Sequence, residues 1–243
     1  MIEKDALEYL VNLGINENPI VDVNGEKFSV KQLYPVKEIE PKPLELNFLD
    51  SLVTYLKSNI DYSFDKNNKL IIEITSPMEI ALHTELIGDF NQRFTPVVCA
   101  ALVNPFPWGK FISTEEFIIM AQSRFSETED LAKIRQIVGN VKSEEVMQFS
   151  DDGVSQQVTA KSGVARVENV VIPPRVKLAP YRTFIEIEQP ESEFVFRARK
   201  SDGLPLFALF EADGGAWRIE AMKRIKAYLE EQLKEIENVV ILG

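Results

Sequence analysis

Regularly spaced turn signals constrain this chain more than any other feature. Beyond Glu145, the strings Asp151-Asp152-Gly153, Ser162-Gly163, Pro173-Pro174, Gln189-Pro190 and Ser201-Asp202-Gly203 cut the sequence into runs of about ten residues. Glycine permits and proline enforces backbone angles that interrupt regular structure, so each string marks a reversal. Runs of that spacing fit antiparallel strands, whereas βαβ units would need a helix of a dozen or more residues between successive strands. After Ala212-Asp213-Gly214-Gly215 the apolar period changes. Trp217, Ala221, Met222, Ile225, Leu229, Leu233 and Ile236 share one face of a helix expected over about 216–236, and Val239 to Leu242 predicts a short strand. The expected class is α+β: a mostly antiparallel sheet with segregated helices and a long C-terminal helix followed by a short strand.

Toward the start, Ala6, Leu7, Leu10, Val11 and Leu13 recur at helical spacing, and Gly14 sits where a left-handed cap would end a helix over 2–13. Val21, Val23, Phe28 and Val30 flank Asn24-Gly25, a two-residue hairpin signal. Residues 1–34 are thus expected to form a small helix-hairpin unit, the proline-rich stretch 35–43 a linker, and 44–243 the main α+β domain. In that domain Asn47 is placed to cap a helix carrying Phe48, Leu52, Val53 and Leu56 and ending near Asn59. Leu70 to Thr75 and Glu79 to Leu86 read as a strand pair around Ser76-Pro77. The unbroken apolar stretch 97–103 fits a buried strand or a buried helix equally. Two capping boxes follow, Ser113 with Glu116 and Ser126 with Glu129, the second opening a helix stopped by Gly139.

Of the 243 residues, 45% are hydrophobic and 27% charged, enough to bury a sizeable core. With one cysteine, Cys99, and one histidine, His83, the chain can close no internal disulfide and assemble no Cys/His zinc set. A formal charge of −11 repels a phosphate backbone, so direct nucleic-acid binding is disfavoured. Arg197, Arg199 and Lys200, and Lys223, Arg224 and Lys226, read as solvated faces. The N-terminus lacks the pattern of a signal peptide, and the run Val97 to Val103 is far short of the ~20 apolar residues a membrane helix needs. No membrane association is expected, and the expected location is cytoplasmic.

No residue set announces catalysis. His83, in Ile80-Ala81-Leu82-His83-Thr84, reads as a partly buried structural histidine, and Cys99 as an inert core thiol. Neither glycine-rich phosphate loop occurs. Gly214-Gly215 before the long helix is the nearest anion site, but Glu211 and Asp213 put negative charge there, and Asp213 reads as a cap. Carboxylates are plentiful: Asp151, Asp152, Glu211 and Asp213 could meet on Mg²⁺ with Lys200 or Arg182 assisting, while the alternation of Glu186 and Glu188 looks like the solvent side of a strand. Phe194, Phe196, Phe207 and Phe210 read as core, and Tyr181 and Phe184 flank Arg182. The segment Pro105-Phe106-Pro107-Trp108-Gly109 is rigid and apolar and is expected at an interface. The candidate binding residues are therefore Phe106, Trp108, Asp151, Asp152, Tyr181, Arg182, Glu211, Asp213, Gly214, Gly215 and Trp217, with no catalytic residue, metal ligand or cofactor assigned.

Several ordered strings resemble the YfdQ-like family of phage and prophage proteins. They are Ser150-Asp151-Asp152-Gly153-Val154-Ser155-Gln156-Gln157-Val158; Leu178-Ala179-Pro180-Tyr181-Arg182-Thr183-Phe184 leading to Gln189-Pro190-Glu191-Ser192; and Leu209-Phe210-Glu211-Ala212-Asp213-Gly214-Gly215-Ala216-Trp217. Glu115-Glu116-Phe117-Ile118-Ile119, Gln122-Ser123 and Val138-Gly139-Asn140 are similar to its middle segment, so the likeness spans about 44–243. It implies a phage or prophage origin and the host-cell cytoplasm, and carries no activity or catalytic residue. Three readings stay open. The first is a non-enzymatic accessory protein self-assembling into a homo-oligomer, a ring or shell held by sheet edges and the 105–109 loop. The second is a binder of a host or phage protein, acting in recombination or as an acidic anti-defence decoy. The third is a carboxylate-metal nuclease or phosphohydrolase.

Overall fold

A computed structural model of the chain describes residues 3–17, 20–23, 26–29, 42–60, 68–87, 91–141, 149–151, 156–162 and 166–243. The chain divides into two compact units, Met1–Pro41 and Lys42–Gly243. The smaller holds helix α1 (Lys4–Glu17) and the antiparallel strands β1 (Ile20–Val23) and β2 (Glu26–Ser29), in register from Ile20↔Ser29 to Val23↔Glu26. Gly14 does not end α1, which continues for three more residues. Nothing lies within 4 Å of where its Cβ would be, so a mid-helix glycine costs only its propensity. The Asn24-Gly25 turn, Val30 and most of the 35–43 stretch lie outside the described residues.

In the larger unit come β3 (Leu44–Leu46), α2 (Leu49–Ser58), β4 (Leu70–Ser76), β5 (Glu79–Thr84), β6 (Val97–Ala100), β7 (Ile112–Ser113), α3 (Thr114–Ser123), β8 (Phe125–Ser126) and α4 (Glu129–Asn140). They are followed by β9 (Phe149–Asp151), β10 (Gln156–Ser162), β11 (Arg166–Ile172), β12 (Arg175–Pro180), β13 (Ser192–Ser201), β14 (Leu204–Glu211), α5 (Ala216–Gln232) and β15 (Val239–Leu242). The class is α+β and mostly antiparallel, with the long helix and closing strand in place. The strands form a three-stranded sheet β11-β10-β9 and two five-stranded sheets, β7-β14-β13-β12-β8 and β15-β4-β5-β6-β3. Only β15 on β4 and β3 on β6 run parallel within the five-stranded sheets.

The first five-stranded sheet carries an aromatic core. Alternation along β13 sends Phe194, Phe196 and Ala198 to one face, where they meet Phe207 and Leu209 of β14 and the buried sides of α3 and α4. At the β13–β14 hairpin Ser201 pairs with Leu204, and Asp202 and Gly203 have φ of 51° and 84°. Both central residues of this two-residue turn lie in the left-handed region, which is why the sequence places Asp-Gly there. The second sheet carries a mainly aliphatic core: Ile72, Ile74, Ile80, Leu82, Val97 and Cys99 against Leu49 and Leu52 of α2 and Ile225 and Leu229 of α5.

Helix boundaries depart from expectation where tertiary contacts do the capping. Ser113 caps α3, its hydroxyl accepting from the Glu116 N–H at 3.3 Å. Thr128, not Ser126, caps α4, because Ser126 is held in β8 by pairing with Ala179. Gly139 lies inside α4, and Val141 closes it. Asn47 is not the cap of α2; that position is Phe48, with no side-chain bond of its own, and Asn59 ends the helix with φ 48°. The ambiguous stretch 97–103 is a strand through Ala100 only. α5 ends at Gln232, short of the expected 236.

The two five-stranded sheets treat their edges differently. On one side of β14, Gly109 N donates to Leu209 O at 2.8 Å, and β7 pairs through Ser113 and Ile112. Beyond β12, β8 pairs at Pro180 and Ala179, the Asp130 carboxylate accepts from Lys177 N at 2.9 Å, and the Thr128 hydroxyl donates to Lys177 O at 3.3 Å. The long strands β12 and β14 are thereby flanked, and the sheet ends in the two-residue strands β7 and β8. In the other sheet β3 is three residues long and directly preceded by Pro43. At the opposite end, no strand among the described residues pairs with the outer side of β15.

Candidate functional site

Six of the candidate residues, Arg182, Glu211, Asp213, Gly214, Gly215 and Trp217, gather where the two five-stranded sheets are joined, with Arg182 at their centre. Tyr181 is 42% exposed and lines a separate open groove with Leu102 and Ile185. Arg182 leaves β12 after Pro180, directed by Tyr181 N donating to Arg124 O at 2.9 Å. Arg182 as a whole is only 5% exposed. Its guanidinium donates to Glu211 Oε1 at 2.9 Å and to Ser192 Oγ, and lies 3.9 Å from the centroid of the Trp217 ring. Burial lowers its pKa to about 10, against the opposing pull of Glu211 and Asp213. It stays cationic at neutral pH.

Asp213 occupies the helix start that the glycine pair suggests as an anion site. Its Oδ1 accepts from Gly215 N at 3.0 Å and its Oδ2 from Trp217 N at 3.1 Å. Gly214 and Gly215 have φ of 64° and 85°, angles that let the chain turn within two residues and aim these N–H groups at the carboxylate. The site for an external anion is therefore already filled by a side chain of the protein. The two carboxylates are both committed, Glu211 to Arg182 and Asp213 to the backbone, and Trp217 is fixed between guanidinium and helix.

Residues 181–191 form an irregular segment held by side chains rather than a strand, so the reading of Glu186 and Glu188 as a strand's solvent face is corrected. Gln189 organises it: Oε1 accepts from Arg182 N at 3.1 Å, and Nε2 donates to Phe184 O and Ile187 O at 3.0 and 3.2 Å. Thr183 donates to Pro77 O, and Phe184 and Ile187 enter the aliphatic core. Glu186 Oε1 accepts from Asp50 N at 3.3 Å, capping α2 from a distance and supplying what Phe48 cannot. Glu188 meets Arg224 of α5 at 3.2 Å. Tyr228 donates to Asp50; burial and that carboxylate raise its phenol pKa. One segment thus ties β14, α2 and α5 together, through residues whose types gave no sign of these partners in the sequence.

The other candidates lie elsewhere. Phe106 is 3% exposed and Trp108 half-buried, stacked on Phe194 with ring centroids 4.8 Å apart. This corrects the expectation of an interface loop: the rigid Pro-Phe-Pro-Trp turn points both rings into the aromatic core, where Phe106 also meets Phe117 and Phe125 edge-on. Asp151 ends β9, paired with Gln156, while Asp152 lies outside the described residues. Among the described residues no group of three or more His, Cys, Asp or Glu side chains could hold a metal ion. Cys99 is fully buried, its thiol pKa pushed up to about 12 by burial. His83 lies on the sheet face opposite the helices, its ring nitrogens 3.0 Å from Thr95 Oγ1 and 3.1 Å from Glu73 Oε2.

Beside the Arg182 node an open groove of about 600 Å³ runs past Trp217, Ser192, Lys177, Glu191, Glu220 and Lys223. Its charges are mixed, and Glu220 is paired with Arg224 at 2.9 Å. Fold and site together define an α+β protein whose most distinctive residues are committed to joining its two five-stranded sheets. Compared with known proteins, the chain matches no family model, no curated protein and no solved structure. No helix among the described residues is long and apolar enough to cross a membrane.

Proposed function

We propose that the chain is a non-enzymatic accessory protein of phage or prophage type, working by self-association into a homo-oligomer in the host-cell cytoplasm. The origin rests on the resemblance of the strings around residues 150–158, 178–192 and 209–217. The observation that carries self-association is the outer side of β15: four apolar residues, Val-Val-Ile-Leu, at a sheet edge that no described strand covers. Exposed apolar edges present unpaired backbone groups and are templates for further pairing. The fate of the candidate residues also favours surfaces over chemistry, because Arg182 is bonded to Glu211 and Asp213 to the backbone at the start of α5. Assembly is therefore assigned to sheet edges alone, without the 105–109 loop.

Size-exclusion chromatography with light scattering over a range of micromolar concentrations tests this reading. A mass that rises toward a multiple of 27.6 kDa is expected. A mass fixed at the monomer value throughout removes it.

A further inference from the structure

We propose that β15 pairs antiparallel with β15 of a second copy about a two-fold axis through Val240. This contact rests on the self-association reading and gives that association a single edge and a single register.

The phase of the edge comes first. Leu70 N donates to Asn238 O at 2.8 Å, and β15 runs parallel to β4 with Val239 opposite Leu70 and Ile241 opposite Ile72. In a parallel ladder alternate residues direct both backbone groups to the same side. Asn238, Val240 and Leu242 therefore face β4, and Val239 and Ile241 present their N–H and C=O groups to the open side. Antiparallel partners exchange both hydrogen bonds at every second pair. With the axis at Val240, each Val239 exchanges both bonds with Ile241 of the second copy, and every outward group of the two strands is satisfied. Val240 then faces Val240 of the other copy as a non-hydrogen-bonded pair.

Side chains fit the same occupant. Val239 and Ile241 are half-buried and, with Leu233, Ile236, Glu230 and Lys234, line an open groove of about 230 Å³ beside the strand. A two-fold perpendicular to the sheet keeps both α5 helices on one face and runs them antiparallel. Glu230 of one copy is thereby brought toward Lys234 of the other, whose ammonium lies 2.7 Å from Glu231 of its own chain, a charge complementarity that a parallel arrangement would not give. On the opposite face Val240 and Leu242 are 43% and 50% exposed, and pairing covers apolar surface there too. Such a contact closes on itself as a dimer; a ring or shell would need a second contact elsewhere.

Two cysteine variants and two proline variants of the full chain test the register. Directly opposed residues of a non-hydrogen-bonded pair bring their Cβ atoms to about 4.5–5.5 Å, close to disulfide distance. Under oxidised glutathione, Val240→Cys is expected to form a covalent dimer on a non-reducing gel. Leu242→Cys is not, since four residues of strand, about 14 Å, then separate the two copies of that position. Ile241→Pro removes an outward N–H and leaves the β4 ladder whole. It should weaken association at least tenfold with the far-ultraviolet circular dichroism retained. Val240→Pro removes an inward N–H and should instead lower the melting temperature. Cross-linking through position 242 but not 240, or an Ile241→Pro variant that associates like the parent, overturns the register while self-association stands. A parent that is monomeric at every concentration overturns both. Should Ile241→Pro fail to fold, the cysteine pair still decides.

Discussion

The two five-stranded sheets of the larger unit are built from different materials and finished differently. One is packed with rings: Phe117 touches Phe106, Phe196 and Phe207 with centroids 5.6 to 5.9 Å apart, in tilted and edge-on geometry. The other is packed with branched aliphatic chains from β4, β5, β6, α2 and α5. The aromatic sheet ends in two-residue strands, β7 and β8, and the side chains that start α4 bond β12 beside them. No such device is present at β15 among the described residues. A longer apolar edge strand without such flanking is where a partner fits.

Separating the sheets is the most damaging way to test this contrast. Arg182→Ala removes the buried cation that joins β14 to the 181–191 segment, leaving Glu211 and Ser192 without their donor and Trp217 without its stacked guanidinium. Breaking one side of a buried ion pair costs about 3–5 kcal/mol, and urea denaturation at pH 7 should show a loss in that range. Arg182→Lys should recover little, because an ammonium cannot serve two acceptors and lie flat on an indole at once. If the aromatic and aliphatic sheets are stable apart, the variant's transition splits in two. A single transition with a loss under about 1 kcal/mol would mean the node is peripheral to stability.

Opening the closed edge is the next test, with a smaller expected effect. The Asp130 carboxyl is held below the ordinary carboxylate range, first by the Lys177 backbone N–H and then by Lys133, against the effect of burial. Its folded pKa lies below the unfolded value near 3.9, so its contribution is complete above that value. It drains away as pH falls through the folded pKa. Asp130→Ala should cost about 1–2 kcal/mol at pH 7, the charged hydrogen bond being discounted for a side chain 31% exposed. The difference from the parent should shrink as pH falls below the unfolded value and through the folded pKa. A difference independent of pH would show that the carboxylate is not what closes β12.

Local rules made much of the fold legible. Period two in Phe194, Phe196 and Ala198, Asp202-Gly203 at the hairpin, and the apolar face of α5 each act within a few residues, and each stands where those rules put it. What could not be read depends on residues far apart in the chain. Glu186 caps α2 across 136 positions, and Asp130 closes β12 across 47. A carboxylate on a solvated face has the same sequence signature as one reaching another element. Phe106 and Trp108 depart from expectation for a related reason: proline-rich turns are mostly exposed, but rigidity can equally aim rings inward. At the site, turn geometry around Gly214-Gly215 and the Asp213 cap could be anticipated. The guanidinium bonded to Glu211 and stacked on Trp217 could not.

The finest test concerns which hydroxyl starts α4. Ser126 with Glu129 and Thr128 with Leu131 both offer a side-chain oxygen before the same helix, and spacing alone favours the capping box. Strand pairing decides otherwise: Ser126 is opposite Ala179 in β8, so the helix cannot begin until the chain has left the sheet. Thr128 then has two tasks, accepting from Leu131 N at 3.1 Å and donating to Lys177 O at 3.3 Å. Thr128→Ala should cost about 1 kcal/mol, the usual worth of a cap. Ser126→Ala should fall within about 0.5 kcal/mol of the parent, as surface substitutions do. Thr128→Ser keeps both hydroxyl bonds and should recover most of the loss, since it deletes only a methyl group. If Ser126→Ala proves the costlier change, α4 begins at the capping box, and the closed edge of β12 is held by β8 rather than by the start of the helix.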